Sequence, residues 1–182
     1  MFVERFDNNQ NDWLEGPVSE AQVFVGNGVY NVLNPYEEDV DNFVFGITRV
    51  YHFVNFDLTV DITQQSGTDN NELAVVFGYE DEQNFYEFAL SGDGFVGLFQ
   101  VANAELDVIE AFFPSGHIVQ GIANNQVRLV VEGTNLTAYV NGERVLEKPI
   151  PGYRGGFVGL GCGAFQPPEV TCTFDNLEVT EL

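Results

Sequence analysis

Basic residues are scarce in this chain. Its 182 residues include 28 Asp and Glu but only 6 Lys and Arg, and the formal net charge at pH 7 is −22. Nucleic acids and anionic membrane surfaces are bound through clustered basic side chains, which this sequence lacks. We therefore expect no nucleic-acid partner. Most of the acidic residues predict a solvated surface that keeps the protein soluble.

Long apolar runs are also missing. No segment approaches the roughly 18 consecutive apolar residues of a membrane-spanning helix, so we expect no insertion into a membrane. The opening stretch MFVERFDNNQNDW has neither a basic region nor an apolar run, and it does not look like a signal peptide.

Cysteine is rare, and the two cysteines, Cys162 and Cys172, both fall on the apolar positions of alternating segments. That placement suits two buried thiols and a buried disulfide equally well, because unpaired cysteine is itself among the most buried residue types. The sequence leaves both alternatives open.

Aromatic residues and glycines are abundant, with 17 Phe, 7 Tyr and 19 Gly. Apolar and polar residues alternate through most of the chain, and no segment shows a helical period. Turn-forming pairs such as Asn141-Gly142, which favours a type I′ hairpin, separate the alternating segments. This pattern predicts an all-β protein of about twelve to fourteen strands in one long antiparallel meander. We expect a single domain over residues 1–182, built as a two-sheet β-sandwich or jelly roll.

Residues 51–62 alternate clearly, and their even-numbered, mostly apolar side chains are predicted to face the core. The odd-numbered ones are predicted to face outwards, together with two residues from later strands. Such a mixture of aromatic, amide and charged groups suits a glycan, because sugar rings stack on aromatic faces while polar groups bind the hydroxyls. An alternative is that this face packs against another domain. The predicted glycan-binding residues are Tyr51, Phe53, Asn55, Asp57, Arg128 and Tyr139.

Five segments resemble the concanavalin A-like lectin/glucanase superfamily, and they occur in the order that this superfamily shows. They are FDNNQNDW (6–13), VVFGYEDEQNFYEFALSGDGFVGLF (75–99), GIANNQVRLVVEGTNLTAYVNGERV (121–145), GGFVGLG (155–161) and FDNLEV (174–179). The resemblance is to the laminin-G-like branch, which includes bacterial carbohydrate-binding modules and keto-disaccharide hydrolase-like domains. It implies one concave and one convex sheet, a glycan bound on the concave sheet or its rim, and an extracellular or cell-surface location.

Two positions depart from the pattern of these relatives. Where they often carry arginines, this chain has Gly78 and Glu87. A site without those basic groups suits a neutral glycan better than an acidic one.

The segment ELDVIE matches E-x-D-x-x-E, the catalytic signature of laminarinase-like glycosidases that share the fold. Catalysis would need Glu105 and Glu110 about 5 to 5.5 Å apart in one cleft, with Asp107 between them. A β-bulge would be required to bring all three to one face. The flanking residues fit a plain hairpin with Glu110 at a strand end, and we expect no shared cleft.

The preferred function is therefore a non-catalytic carbohydrate-binding module, with a glycoside hydrolase or a structural domain of a larger surface protein as alternatives.

Two matching Phe-Asp pairs near the termini raise the question of calcium. Asp7 and Asp175 are candidate ligands, because the resemblance implies a metal that ties the first strand to the last and Ca²⁺ takes oxygen ligands. The alternative is that both aspartates form Asx turns at strand ends.

Overall fold

A computed structural model describes residues 1–38 and 43–182. These residues form fifteen β-strands, which pair into two antiparallel sheets. The all-β sandwich predicted from the sequence is confirmed. In the described part of the chain, no helix has the length and the apolar character that crossing a membrane requires.

The larger sheet has nine strands. They are β1 (Phe2–Glu4), β2 (Gly16–Val18), β3 (Ala21–Gly26), β4 (Val29–Asn34), β6 (Phe56–Ser66), β11 (Asn124–Glu132), β12 (Asn135–Val140), β13 (Glu143–Pro149) and β15 (Val170–Glu181). Their order across the sheet is β13-β12-β11-β6-β15-β4-β3-β2, and β1 pairs with the second half of β15.

The smaller sheet has six strands in the order β10-β9-β8-β7-β14-β5. They are β5 (Phe43–Phe53), β7 (Glu72–Asp81), β8 (Asn84–Ser91), β9 (Phe95–Ala102), β10 (Glu105–Pro114) and β14 (Gly156–Gly163). Strands β7 to β10 form consecutive hairpins, and so do β11 to β13. The single meander expected from the sequence is therefore two meanders, because the segment between β10 and β11 carries the chain from one sheet to the other.

The Asn141-Gly142 turn joins β12 to β13 with φ angles of 53° and 85°. Both angles are positive, as a type I′ hairpin requires. The Asn141 side chain also accepts a hydrogen bond from the Gln126 backbone N–H at 2.9 Å and donates one to the His117 carbonyl at 2.8 Å. The predicted turn is confirmed, and its asparagine also fixes the start of β11.

The core lies between the sheets. Alternate residues of β6, including Phe56, Leu58 and Val60, are fully buried against inward-facing residues of β7 such as Val75 and Phe77. Burying a side chain of this size contributes about 1.5 to 3 kcal/mol. The period-two pattern of β6 is thus the direct cause of its position in the sandwich.

A disulfide joins the two sheets. Cys162 lies in β14 of the smaller sheet and Cys172 in β15 of the larger one, with their Cα atoms 6.1 Å apart. The structure thereby decides between the two alternatives that the sequence left open.

Residues 51–62 do not form one strand. β5 ends at Phe53, and β6 begins at Phe56 in the other sheet, so the turn between them shifts the alternation by one residue. Phe53 is only 3% exposed and packs against Phe2 and Phe56, whereas Val54 is 48% exposed. The prediction that Phe53 faces solvent is wrong, because the chain changes sheets at this turn.

A groove on the outer face of the six-stranded sheet

The outer face of the smaller sheet carries an aromatic groove of about 1030 Å³. Its floor is built from alternate residues of β5, β8 and β9, chiefly Phe43, Phe45, Phe85, Phe99 and Val101. Ligand sites in proteins are concave and mostly apolar, with volumes of roughly 300 to 1,000 Å³. The groove therefore has the size and lining of a binding site.

Glycines in β14 make room for the aromatic rings. A Cβ atom on Gly161 would lie 2.5 Å from the Phe43 ring and 2.8 Å from the Cβ of Phe45. Without it, the Phe43 and Phe45 rings lie 5.6 Å apart, and Phe45 reaches within 5.1 Å of Phe85 on β8. The GLGCG segment is therefore part of the groove's construction, because larger residues would displace the rings.

One wall of the groove is the rim loop, residues 5–15. The buried carboxylate of Glu4 fixes the start of this loop. It accepts hydrogen bonds from the backbone N–H groups of Arg5 and Phe6, both at 2.8 Å. It also accepts one from the Asn11 side chain at 2.7 Å and one from the Trp13 indole at 3.2 Å. Four donors on one carboxylate compensate for its removal from water.

Trp13 anchors the rim loop to the edge of the smaller sheet. It forms a β-bridge with Thr48 of β5, and its ring lies 5.1 Å from that of Tyr30. The Tyr30 hydroxyl donates to the Leu14 carbonyl at 2.7 Å. Burial raises the pKa of Tyr30 well above its usual range, and the nearby Glu15 carboxylate raises it further. The hydroxyl therefore stays protonated into the alkaline range, and its hydrogen bond to Leu14 holds the rim loop in place.

Carboxylates dominate the polar lining of the groove. Five acidic side chains line it, and Arg49 is the one basic side chain among the described lining residues. Glu87 stands on the floor between Val76 of β7 and Phe99 of β9, its cross-strand partners, and is 6% exposed. Arg49 lies over the Tyr79 ring at 5.9 Å. The acidic lining residues are Asp12, Glu15, Glu72, Glu82 and Glu87.

The residues predicted to bind glycan lie outside this groove. Asp57, Arg128 and Tyr139 form a cluster on the outer face of the nine-stranded sheet, in β6, β11 and β12. Arg128 donates two hydrogen bonds to the Asp57 carboxylate, at 2.8 and 2.6 Å, and its guanidinium carbon lies 5.1 Å from the centre of the Tyr139 ring. The hydrogen bonds to Asp57 raise the pKa of Arg128. The polar groups of this cluster are thus engaged with one another.

Tyr51 and Asn55 lie near the turn between β5 and β6. The exposed Tyr51 ring is 5.2 Å from the Phe2 ring, and the Asn55 side chain accepts a hydrogen bond from the Gly133 backbone at 2.7 Å. Because Phe53 is buried and Tyr51 packs against Phe2, the six predicted residues do not form one surface.

The groove residues were not predicted, because the central strands of the smaller sheet are buried on both faces. Eight consecutive residues of β7, Glu72–Tyr79, are buried, and so are seven of β8, Phe85–Ser91. Period-two alternation cannot distinguish the core side from the groove side in such strands. A usable signal was present in β5, where Phe43, Phe45 and Ile47 share one parity opposite a glycine-rich strand.

The ELDVIE carboxylates share one side of β10. Glu105, Asp107 and Glu110 pair with Ala102, Gln100 and Leu98 of β9, and a register shift between Val108 and Glu110 supplies the bulge that this alignment needs. Leu98 is a core residue, so the three carboxylates project from the side of the sheet that faces the core rather than from the groove side.

Glu110 therefore meets the other sheet. It forms an ion pair with Lys148 of β13, and it lies within β10 rather than at the strand end that we expected. Leu106 and Phe112 are the residues of β10 that line the groove. The expectation of a plain hairpin with Glu110 at its end is therefore wrong, because a bulge brings the three carboxylates to one side of β10. The absence of catalysis stays a prediction.

The two candidate calcium ligands lie on different elements. Asp7 is exposed in the rim loop, and Asp175 of β15 pairs across strands with Asp61 and accepts a hydrogen bond from the Asn176 backbone at 2.6 Å. Within residues 1–38 and 43–182, no three His, Cys, Asp or Glu side chains are grouped so that they could hold a metal ion. Calcium binding by Asp7 and Asp175 stays a prediction.

Comparison with known proteins gives matches at the level of structure. No family model and no curated protein matches this chain. A carbohydrate-binding module CBM66 from Bacillus subtilis superposes with a TM-score of 0.74 at 18% identity, covering 95% of this chain and 98% of its own. A Bacillus licheniformis β-glucanase gives 0.70 at 12% identity, covering 100% and 98%. A Bacillus subtilis protein of unknown function with a galectin-like fold gives 0.71 at 11% identity, covering 100% and 95%.

This chain shares the two-sheet antiparallel jelly-roll fold of these structures. The resemblance drawn from five sequence segments is confirmed at this level. Identities this low show the fold alone, and the laminin-G-like branch stays a prediction.

Proposed function

We propose that this protein is a carbohydrate-binding module and that the groove on its six-stranded sheet binds a glycan. One observation carries the proposal: an aromatic groove, lined with carboxylates, crosses one face of a strongly acidic protein. The similarity in fold to proteins described as a carbohydrate-binding module and as a β-glucanase supports it.

The groove would bind sugar through two kinds of contact. The half-exposed rings of Phe45 and Phe99 offer faces on which the C–H surface of a sugar ring stacks. Carboxylates at the rim, such as Asp12 and Glu82, accept hydrogen bonds from hydroxyl groups. Lining residues come from β5 at one edge of the sheet and from β10 at the other, a width of roughly 24 Å at the usual strand spacing. That width favours an oligosaccharide over a single sugar.

The proposal includes an extracellular or cell-surface location. Disulfides persist in oxidising compartments and are rare in the cytosol. The bond between Cys162 and Cys172 supports this part of the proposal.

Binding without hydrolysis is the preferred form of the proposal. A glycoside hydrolase would need a pair of carboxyl groups on either side of a sugar in the groove. Glu105, Asp107 and Glu110 project from the other side of the sheet, so a glycan in the groove would not meet them.

Screening on a glycan array, followed by calorimetric titration of the bound glycans, tests the proposal. Phe45→Ala and Phe99→Ala each remove one stacking platform and should weaken binding about tenfold, which corresponds to about 1.4 kcal/mol. Tyr139→Ala is the matched control, because it removes an aromatic residue from the outer face of the other sheet. Circular dichroism checks that each variant is folded. Loss of binding in Tyr139→Ala together with full binding in Phe45→Ala would contradict the proposal.

A further inference from the structure

The charge of the groove has the opposite sign to that of an amino sugar. Five of the described lining residues are acidic and one, Arg49, is basic, and the Arg49 guanidinium lies over the Tyr79 ring. An anionic glycan entering the groove would meet like charges in partly dehydrated surroundings, where charges interact more strongly than in bulk water. A cationic glycan would meet opposite charges there.

Glu87 lies close to the aromatic rings on which a sugar would stack. One aromatic group, Phe45, Tyr79 and Phe85, has neighbouring ring centres 5.1 to 6.3 Å apart. A second group, Phe99 and Phe112, has ring centres 5.3 Å apart. Glu87 is two residues from Phe85 on β8 and directly opposite Phe99 on β9, so it lines the groove next to a member of each group.

We propose that the groove selects glycans containing unacetylated amino sugars over neutral ones, and neutral glycans over acidic ones. This inference rests on the proposed function and names the class of glycan. A sugar stacked on either aromatic group would bring a ring amino group near the carboxyl of Glu87 or near the rim carboxylates. The ammonium group supplies three hydrogen-bond donors to these acceptors, whereas an acidic sugar supplies further acceptors.

The net charge of the whole protein could attract any cation, and the experiment must separate that effect from selection in the groove. Screening by salt weakens long-range attraction, with a Debye length of about 8 Å at physiological ionic strength. Titrations are therefore run at that ionic strength, and variants inside the groove are compared with a variant that removes the same charge elsewhere.

The probes are an array carrying amino, N-acetylated, neutral and acidic glycans of several linkages, and calorimetric titration with glucosamine hexamer, N-acetylglucosamine hexamer and galacturonate hexamer. We expect the glucosamine hexamer to bind at least tenfold more tightly than its N-acetylated form, and the galacturonate hexamer not to bind. Glu87→Gln and Glu82→Gln should each reduce this preference several-fold. Glu82 is exposed at a turn, so its variant tests the inference even where Glu87→Gln disturbs the fold. Glu132→Gln, at an exposed site outside the groove, is the matched control and should leave the preference unchanged.

Each outcome bears on a different claim. Array binding confined to neutral or acidic glycans would overturn the inference and leave the proposed function standing. A preference for amino sugars that Glu132→Gln reduces as much as Glu82→Gln does would assign it to overall charge and would also overturn the inference. An array with no bound glycan would overturn the proposed function itself.

Discussion

The two outer faces of this sandwich are built in different ways. The face of the six-stranded sheet is aromatic and grooved, with Phe45 and Phe99 half-exposed. On the face of the nine-stranded sheet, polar side chains bond to one another: Arg128 to Asp57, and Gln65 to Thr173 at 2.9 Å. Paired polar groups have less hydrogen-bonding capacity left for a ligand, whereas exposed aromatic rings in a groove lose nothing by being covered. A list of sugar-compatible residue types is therefore a poor guide to a site unless their partners are known.

The difference begins with what each sheet must bury. Strands β6 and β15 alternate between core and polar residues, so one side of the larger sheet is left to water. Strands β7 and β8 are buried on both sides and mostly apolar, and the rim loop adds a wall beside β5. The groove forms because the outer face of the smaller sheet is largely apolar and the rim loop covers only one side of it.

The largest expected effect comes from Gly46 in β5, which supports the groove wall. A Cβ atom there would lie 1.7 Å from the Tyr30 hydroxyl, which holds the rim loop. We expect Gly46→Ala to lower the free energy of unfolding by about 3 kcal/mol, because the ring must move out of a packed site. Urea denaturation measures this effect. Gly116→Ala is the control, since nothing lies within 4 Å of its Cβ position. Equal stability of the two variants would contradict this account of the rim loop.

Removal of the disulfide tests how far the two faces depend on each other. The bond joins residues ten apart in sequence, and losing the constraint on the unfolded chain should cost about 2 to 3 kcal/mol. We expect the double variant Cys162→Ala, Cys172→Ala to melt earlier but to bind glycan normally while folded. Loss of binding at temperatures where circular dichroism is unchanged would show that the groove depends on the link between the sheets.

A bound Ca²⁺ would link the rim loop, through Asp7, to β15 of the larger sheet, through Asp175. If Asp7 and Asp175 hold Ca²⁺, a tenfold excess over Kd should stabilise the protein by about 1.4 kcal/mol. The melting temperature should then rise with calcium in the wild type and stay constant in Asp175→Ala. An unchanged melting curve after chelation and calcium titration would remove the metal. If glycan binding depended on calcium, the larger sheet would also contribute to binding, and the two faces would not differ in function as proposed.

The smallest expected effect is that of the Asp57–Arg128 pair. Both side chains are partly exposed, and surface ion pairs contribute about 1 kcal/mol or less. A double-mutant cycle with Asp57→Asn and Arg128→Gln should give a coupling energy of about 0.5 kcal/mol that decreases with added salt, and glycan affinity should not change. A tenfold loss of glycan affinity in either variant would move the site to this face.

Most of the fold could be predicted from the sequence because its signals are local. Alternation in β6, turns such as Asn141-Gly142 and the hairpins from β7 to β10 depend on residues close together in the chain. The carboxylates of the groove could not be predicted in the same way, because Asp12 in the rim loop and Glu87 in β8 are 75 residues apart and are joined only by the topology.

The sequence by itself determined an acidic, all-β, two-sheet protein, since composition and period-two patterning are properties of the chain. The tertiary structure alone decided which apolar face is inside and which lines the groove. It also decided that Phe53 is buried, that the ELDVIE carboxylates point away from the groove, and that Cys162 and Cys172 are bonded. The physical reason is that the two-residue period of a strand sorts its side chains onto two faces but does not show which face is buried in the core. Only packing against the second sheet decides which face meets the core.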